Sequence, residues 1–231
     1  AAHLPDVVAG DEARSPRRTS VGGAWSVLLE LTLKDLRDTG DGLDWTENYV
    51  DFKVRIAKDF LSRVDAISAM GYDCLVSNYF EYFKVASYLR RTTKEPIGIT
   101  LGVPAVKELF KENYYQDLEG GILENFGRLL RFNMSLYVYP TLSPSGELTD
   151  ATNLELDPSV QPLYKYMYNN GTISGMVDYD EELLEAVGSS SVTGLVISKI
   201  KSNDDSWEQL VPSSVAERIK SQQLFGYGDD S

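Results

Sequence analysis

Apolar residues along the chain follow two alternating spacings. Short unbroken apolar runs read as buried strands, and runs interrupted by charges every third or fourth place read as helices. Trp25–Leu33 is the first strand-like run. After the Gly40-Asp41-Gly42 turn, Phe52, Ile56, Phe60, Leu61, Val64 and Ile67 recur at helical spacing, and Gly71 ends that helix. Tyr72–Val76 reads as a second strand. Ser77–Glu81 opens the next helix, with Asn78 as its cap and Glu81 three residues on, and its body runs to Thr92. Pro96–Gly102 is a third strand, and Pro104 sits in the first turn of a helix over Pro104–Phe110. A helix over Leu118–Phe132 precedes a fourth strand, Ser135–Pro140.

This alternation places parallel strands under crossover helices. The expected fold class is α/β, with a mainly parallel, Rossmann-like sheet and flanking helices. Beyond the turn Ser143-Pro144-Ser145-Gly146 the rhythm weakens: Leu163–Asn170 and Asp180–Val187 read as helices, and Val192–Ile200 as a strand. Ser214–Leu224 reads as a helix capped by Ser213, and Gly226–Ser231 as an acidic tail. The expected organisation is an extended arm at 1–23, an α/β domain at 24–175, and a C-terminal extension at 176–231 packing on or beside it.

Composition narrows the function classes. The 231 residues are 42% hydrophobic and 25% charged, so a folded chain is expected rather than a disordered one. A net charge of −13 disfavours nucleic acid, because phosphate contacts need clustered Lys and Arg. The one dense basic cluster, Arg14, Arg17 and Arg18, lies in the arm, where it reads as a solvated linker or as a contact for an acidic partner. A single cysteine, Cys74, permits no internal disulfide and points to an intracellular, reducing compartment; the two glycosylation-like triplets at Asn133 and Asn170 read as chance matches. No apolar run approaches the roughly 20 residues that span a bilayer, which leaves peripheral association with a membrane complex open. The chain starts Ala1-Ala2 rather than with Met. A cleaved targeting peptide, with a plastid or mitochondrial destination, explains that start as well as a missing upstream stretch does.

Candidate chemistry is sparse. The only histidine is His3, in the arm, which removes histidine-based general-base, triad and metal chemistry from the core. Cys74 falls in a strand and reads as a small buried hydrophobe. Neither a phosphate-binding P-loop nor a dinucleotide fingerprint is present. The sequence therefore indicates no catalytic residue, no metal ligands and no cofactor. Ligands of open parallel sheets sit at the carboxyl ends of the strands, which makes Ser77, Asn78 and Gly102 candidates. Gly120 and Gly121 join them, because glycines at a helix N-terminus let an anion approach free N–H groups, with Arg128 or Arg131 further along adding charge. Each has a plain alternative: Ser77 and Asn78 cap a helix, and the glycines allow close packing. Tyr79, Tyr82 and Tyr88 cannot all face one way on a helix, so some point outward as interface candidates. Arg90, Arg91 and Lys94 read as partners of a helix dipole.

The stretches Leu75–Arg91, Ile97–Pro104, Tyr114–Leu130 and Leu136–Pro140 resemble the C-terminal half of a mostly bacterial protein family, some of whose members are labelled nicotinate-nucleotide adenylyltransferase. The resemblance spans Val27 to Ile173 and implies an α/β fold with an ancient ligand crevice. Enzymes with that label use a His-x-Gly-His motif and a Ser/Thr-rich motif ending in Arg. This chain has neither, so the resemblance carries no catalytic residue across.

Three readings follow. The favoured one is a non-catalytic accessory or structural subunit of a larger assembly, with other protein subunits as partners. The alternatives are a nucleotide- or phosphosugar-related enzyme that uses carboxylates such as Glu30 or Asp35 with a metal, and a small-ligand binding module.

Overall fold

A computed structural model describes residues 26–32, 49–79, 81–131, 133–143, 145–187 and 192–228. They are mixed α/β, with small parallel sheets flanked by helices. Two compact units emerge: 26–32, 49–79 and 192–228 in one, and 81–187 in the other, so the expected 24–175 domain is shared between them. The arm, with Arg14, Arg17 and Arg18, lies outside the described residues, as do Asp35 and Phe80.

In the first unit, β1 (Leu28–Thr32) pairs in parallel with β2 (Asp73–Ser77), joined through the helix α1 (Tyr49–Ala69). Gly71, at φ +81°, ends α1 as expected, because a left-handed position there costs a residue without Cβ nothing. The other helices of this unit, numbered in chain order, are α7 (Val192–Lys201) and α8 (Ser213–Gln222). The strand expected over Val192–Ile200 is instead the helix α7. Its β-branched residues favour extended backbone, but Val196 and Ile200, one turn apart, are both buried, and burying that pair outweighs the local preference. Pro212 rather than Ser213 occupies the cap position of α8, its carbonyl accepting from Val215 and Ala216 N–H.

The second unit carries its own sheet. Its elements are α2 (Tyr82–Thr92), β3 (Ile97–Gly102), α3 (Val103–Leu109), α4 (Gly121–Leu129) and β4 (Met134–Tyr139). The short hairpin β5 (Thr141–Leu142) and β6 (Leu148–Thr149), then α5 (Gln161–Asn169), β7 (Ile173–Gly175) and α6 (Glu181–Val187) complete it. The order β3-β4-β7 is wholly parallel, and it forms a sheet separate from β1-β2. The expectation was one mainly parallel sheet; β7 also lacked any sequence forecast, being only three residues long.

Alternation along β4 decides the layering. Met134, Leu136 and Val138 are buried in one cluster with Leu101 and Ile173 from the neighbouring strands and with Phe83, Val106, Phe126, Leu129 and Tyr164 from the helices. The opposite face carries Gly98, Thr100, Ser135, Tyr137, Tyr139 and Ser174 in register across the three strands. Gly98 and Thr100 are exposed, the others are half-buried, and none belongs to that apolar cluster. Two tyrosines are structural: Tyr115 and Tyr164 are buried and donate their hydroxyls to the Leu109 and Ala151 carbonyls, both at 2.7 Å. Burial pushes both phenols well above the ordinary tyrosine range. Among the described residues no single helix is long and apolar enough to cross a membrane.

Candidate functional site

The residues picked out at strand ends separate between the two units. Ser77 ends β2 and is buried, and its hydroxyl accepts the Tyr79 N–H at 3.1 Å while Tyr79 O accepts from Thr32 at 3.1 Å. Its polar capacity goes into a local turn. Asn78 is exposed beside it, and Tyr79 is 39% exposed. The helix expected to open there begins at Tyr82, with Glu81 in the cap position and no side-chain cap, so Asn78 does not cap it.

The glycines lie in the 81–187 unit. Gly102 leads straight from β3 into α3, and a Cβ there would meet Pro104 at an ordinary 3.7 Å. Helix α4 starts at Gly121 rather than Leu118, because Glu112–Tyr115 form a 3-10 turn and Gly121 sits at φ +53°. Gly120 N–H is taken by the helix's own Glu124, whose Oε2 accepts it at 2.8 Å while Oε1 pairs with Arg128. An anion approaching that end would face this carboxylate. Arg128 and Arg131 follow Gly121 by seven and ten residues, about 10–15 Å of helix, so glycines and arginines stand at opposite ends of it.

Those arginines meet others. Arg90 and Arg91 at the end of α2 and Arg128 and Arg131 at the end of α4 line a cleft of about 210 Å³ floored by Ala86 and Met134. Because α2 leads into β3 and α4 into β4, which are parallel neighbours, both helices end at the amino ends of the strands. Arg90 braces the α2–β3 turn, its Nη1 donating to Glu95 O at 2.8 Å and Thr93 O at 3.3 Å. The Arg128 guanidinium lies 5.5 Å from the Phe83 ring centroid, a cation–π distance. In sequence the α2 arginines read as dipole partners; the available signal is that the two helices leading directly into the parallel strands β3 and β4 both end near two arginines.

The tyrosine candidates also divide. Tyr82 is half-buried against the core, whereas Tyr88 is 44% exposed on the outer side of α2, one turn before Arg91. A wider open groove of about 640 Å³ between Lys107–Asn113 and Glu155–Val160 carries mixed charge. Asp157 there accepts from the Ser159 N–H and hydroxyl, which lowers its carboxyl pKa. Cys74 is half-buried, and burial followed by the nearby Glu30 charge raises its thiol pKa, which suppresses the thiolate needed of a nucleophile. Among the described residues no group of three His, Cys, Asp or Glu side chains is placed to hold a metal ion.

The class these features define is a mixed α/β protein with small parallel sheets, flanking helices and an arginine-lined cleft. Comparison with family models, curated proteins and solved structures finds no match for the chain.

Proposed function

We propose that the chain is a non-catalytic accessory or structural subunit of a larger protein assembly, built on a repurposed Rossmann-like α/β frame. The observation that supports this reading is the second face of β3-β4-β7, which lies outside the apolar cluster of the 81–187 unit and exposes Thr100. Purely parallel sheets occur almost only with both faces covered, because crossover helices normally pack on each side. Here the helices bury Met134, Leu136 and Val138, while Thr100, Tyr137 and Tyr139 lie outside their core. A partner protein packs on this second face. Tyrosine suits such a contact: it combines a large apolar ring with a hydroxyl and is enriched at interface cores.

Native purification of the tagged chain from its own cells tests this. The expected result is a stoichiometric complex well above 25.8 kDa, lost when Thr100→Arg sets a long charged side chain on the open face. Thr100 is exposed, so the substitution leaves the buried face intact. A monomer from native extracts, or a complex indifferent to T100R, overturns the reading.

A further inference from the structure

We propose that residues 224–228 form a releasable latch over the aromatic seat at Trp207, docking and lifting in an equilibrium separate from the unfolding of their unit. The inference goes beyond the accessory reading and does not rest on it, because it concerns the unit of 26–32, 49–79 and 192–228. Helix α8 ends at Gln222, and Gln223 caps it in the left-handed region at φ +51°, ψ +48°. Phe225 is left-handed as well, at φ +58°, ψ +22°. Such backbone crowds Cβ against the following carbonyl oxygen, and for a bulky side chain it is an outlier. It persists only where contacts over-determine it, which is why strained positions gather at switch segments. Here two of them stand within three residues, and the segment they shape packs on α7 and α8.

Packing alone holds the latch down. The Tyr227 ring stands 6.0 Å from that of Trp207 at 71°, an edge-to-face pair, and Leu224, Phe225 and Tyr227 are half-buried while Trp207 is 1% exposed. Among the described residues no hydrogen bond or ion pair ties 224–228 to α7 or to the 3-10 turn Asp205–Leu210 that carries Trp207. The seat keeps its own bonds: Asp204 accepts from Ser206 N–H at 3.0 Å and pairs with Lys199 at 2.7 Å, so the turn does not depend on the tail. Each left-handed residue lowers the docked population by roughly 5- to 30-fold. An edge-to-face pair raises it by only about 2- to 13-fold beyond the area it buries. Burial of three half-covered side chains therefore decides the balance, which places the segment at the low-stability end of its unit. Lifting it bares the side of Trp207 that Tyr227 covers.

Amide hydrogen exchange of the full chain, followed by NMR at low urea concentrations, tests this. The Tyr227 N–H, which donates to Leu224 O at 3.1 Å, should exchange at least tenfold faster than those of the buried α8 residues Ala216 and Ile219 once intrinsic rates are divided out, and its rate should not respond to urea. Gln223→Gly relieves the left-handed backbone at an exposed position, so it should slow Tyr227 exchange at least threefold. Tyr227→Ala should lift the latch. With Trp25 and Trp45 replaced by Phe so that Trp207 is the sole tryptophan, Y227A should raise acrylamide quenching at least threefold. If those fluorescence variants fail to fold, the exchange of the unsubstituted chain and of Q223G decides alone. Tyr227 exchanging together with Ala216 and Ile219, a rate unchanged or faster in Q223G, or Trp207 quenching unchanged in a folded Y227A overturns the proposal.

Discussion

Asn125 offers a direct test of the packing of the 81–187 unit. It lies on the inner face of α4 between Ile122 and Leu129, with no exposed surface, and neither Nδ2 nor Oδ1 has a hydrogen-bond partner among the described residues. A buried polar group without a partner costs about 1–3 kcal/mol. Inside a helix, Asn is also less favourable than Leu by about 0.5 kcal/mol. Leucine has the same number of side-chain heavy atoms, but its tetrahedral branch demands some repacking, which takes back about 1 kcal/mol. Asn125→Leu should therefore stabilise the unit by about 1–2 kcal/mol, whereas Asn125→Ala, which removes the orphaned amide but leaves a cavity, should gain less. With a urea slope of about 1–3 kcal/mol/M, the midpoint should rise by on the order of 1 M. Because the chain holds two compact units, urea unfolding should be paired with amide exchange of residues 121–129, which reports this unit alone. If N125L lowers the midpoint and N125A lowers it further, the reasoning fails: the amide is then held by a buried water or another acceptor in solution.

Two further predictions separate local causes. Gly121→Ala should cost only the left-handed backbone penalty of about 1–2 kcal/mol, since nothing lies within 4 Å of an added Cβ at φ +53°. Gly120→Ala should cost more in the same urea assay, because its Cβ would fall 2.8 Å from Glu124 Cβ and disturb the Gly120–Glu124 hydrogen bond; the reverse order would show that the glycines serve another purpose. In the other unit, Lys199 and then the Ser206 hydroxyl and N–H lower the Asp204 carboxyl to about 2. A depressed folded-state pKa contributes stability that is present above the ordinary value of 3.8 and lost as pH falls through about 2, so Asp204→Asn should flatten the acid limb of amide exchange over 205–210. An Asp204 titration near 3.8, followed by carboxyl NMR, would refute this.

How much of this the sequence disclosed depended on whether the relevant force was local. Gly71 ends α1, and Met134, Leu136 and Val138 alternate with polar neighbours along β4, because conformational freedom and two-residue periodicity act within a few residues. Val192–Ile200 misleads because its composition suits a strand, while the joint burial of Val196 and Ile200, one turn apart, selects a helix. The start of α4 was misplaced by three residues for a related reason: Leu118 fits the apolar period, but its N–H is bonded to Tyr115 O in a turn that precedes the helix. Separation of β1-β2 from β3-β4-β7 depends on which strands pair, and apolar runs alone carry no pairing information. The arginine cleft was hidden in the same way, since Arg90 and Arg128 become neighbours only through the parallel pairing of β3 with β4.

The general rule for open α/β sheets places ligands at the carboxyl ends of strands, where helix N-termini gather. In the 81–187 unit that end is a poor place for an anion. Helix α3 is only seven residues long, and the N-terminal amide at Gly120 is already paired with a carboxylate of α4 itself. Positive side chains instead collect at the amino ends of the strands, where Arg90, Arg91, Arg128 and Arg131 line one cleft beside two helix C-termini. The cleft opens in the helical layer, next to Met134 on the buried face of β4, while Thr100 and Tyr137 lie on the opposite face of the same sheet. The face proposed for a partner protein and the arginine-lined cleft are therefore distinct surfaces. What links them is β4 itself, whose Met134 floors the cleft and whose Tyr137 and Tyr139 face the other way, so one rigid strand carries both surfaces.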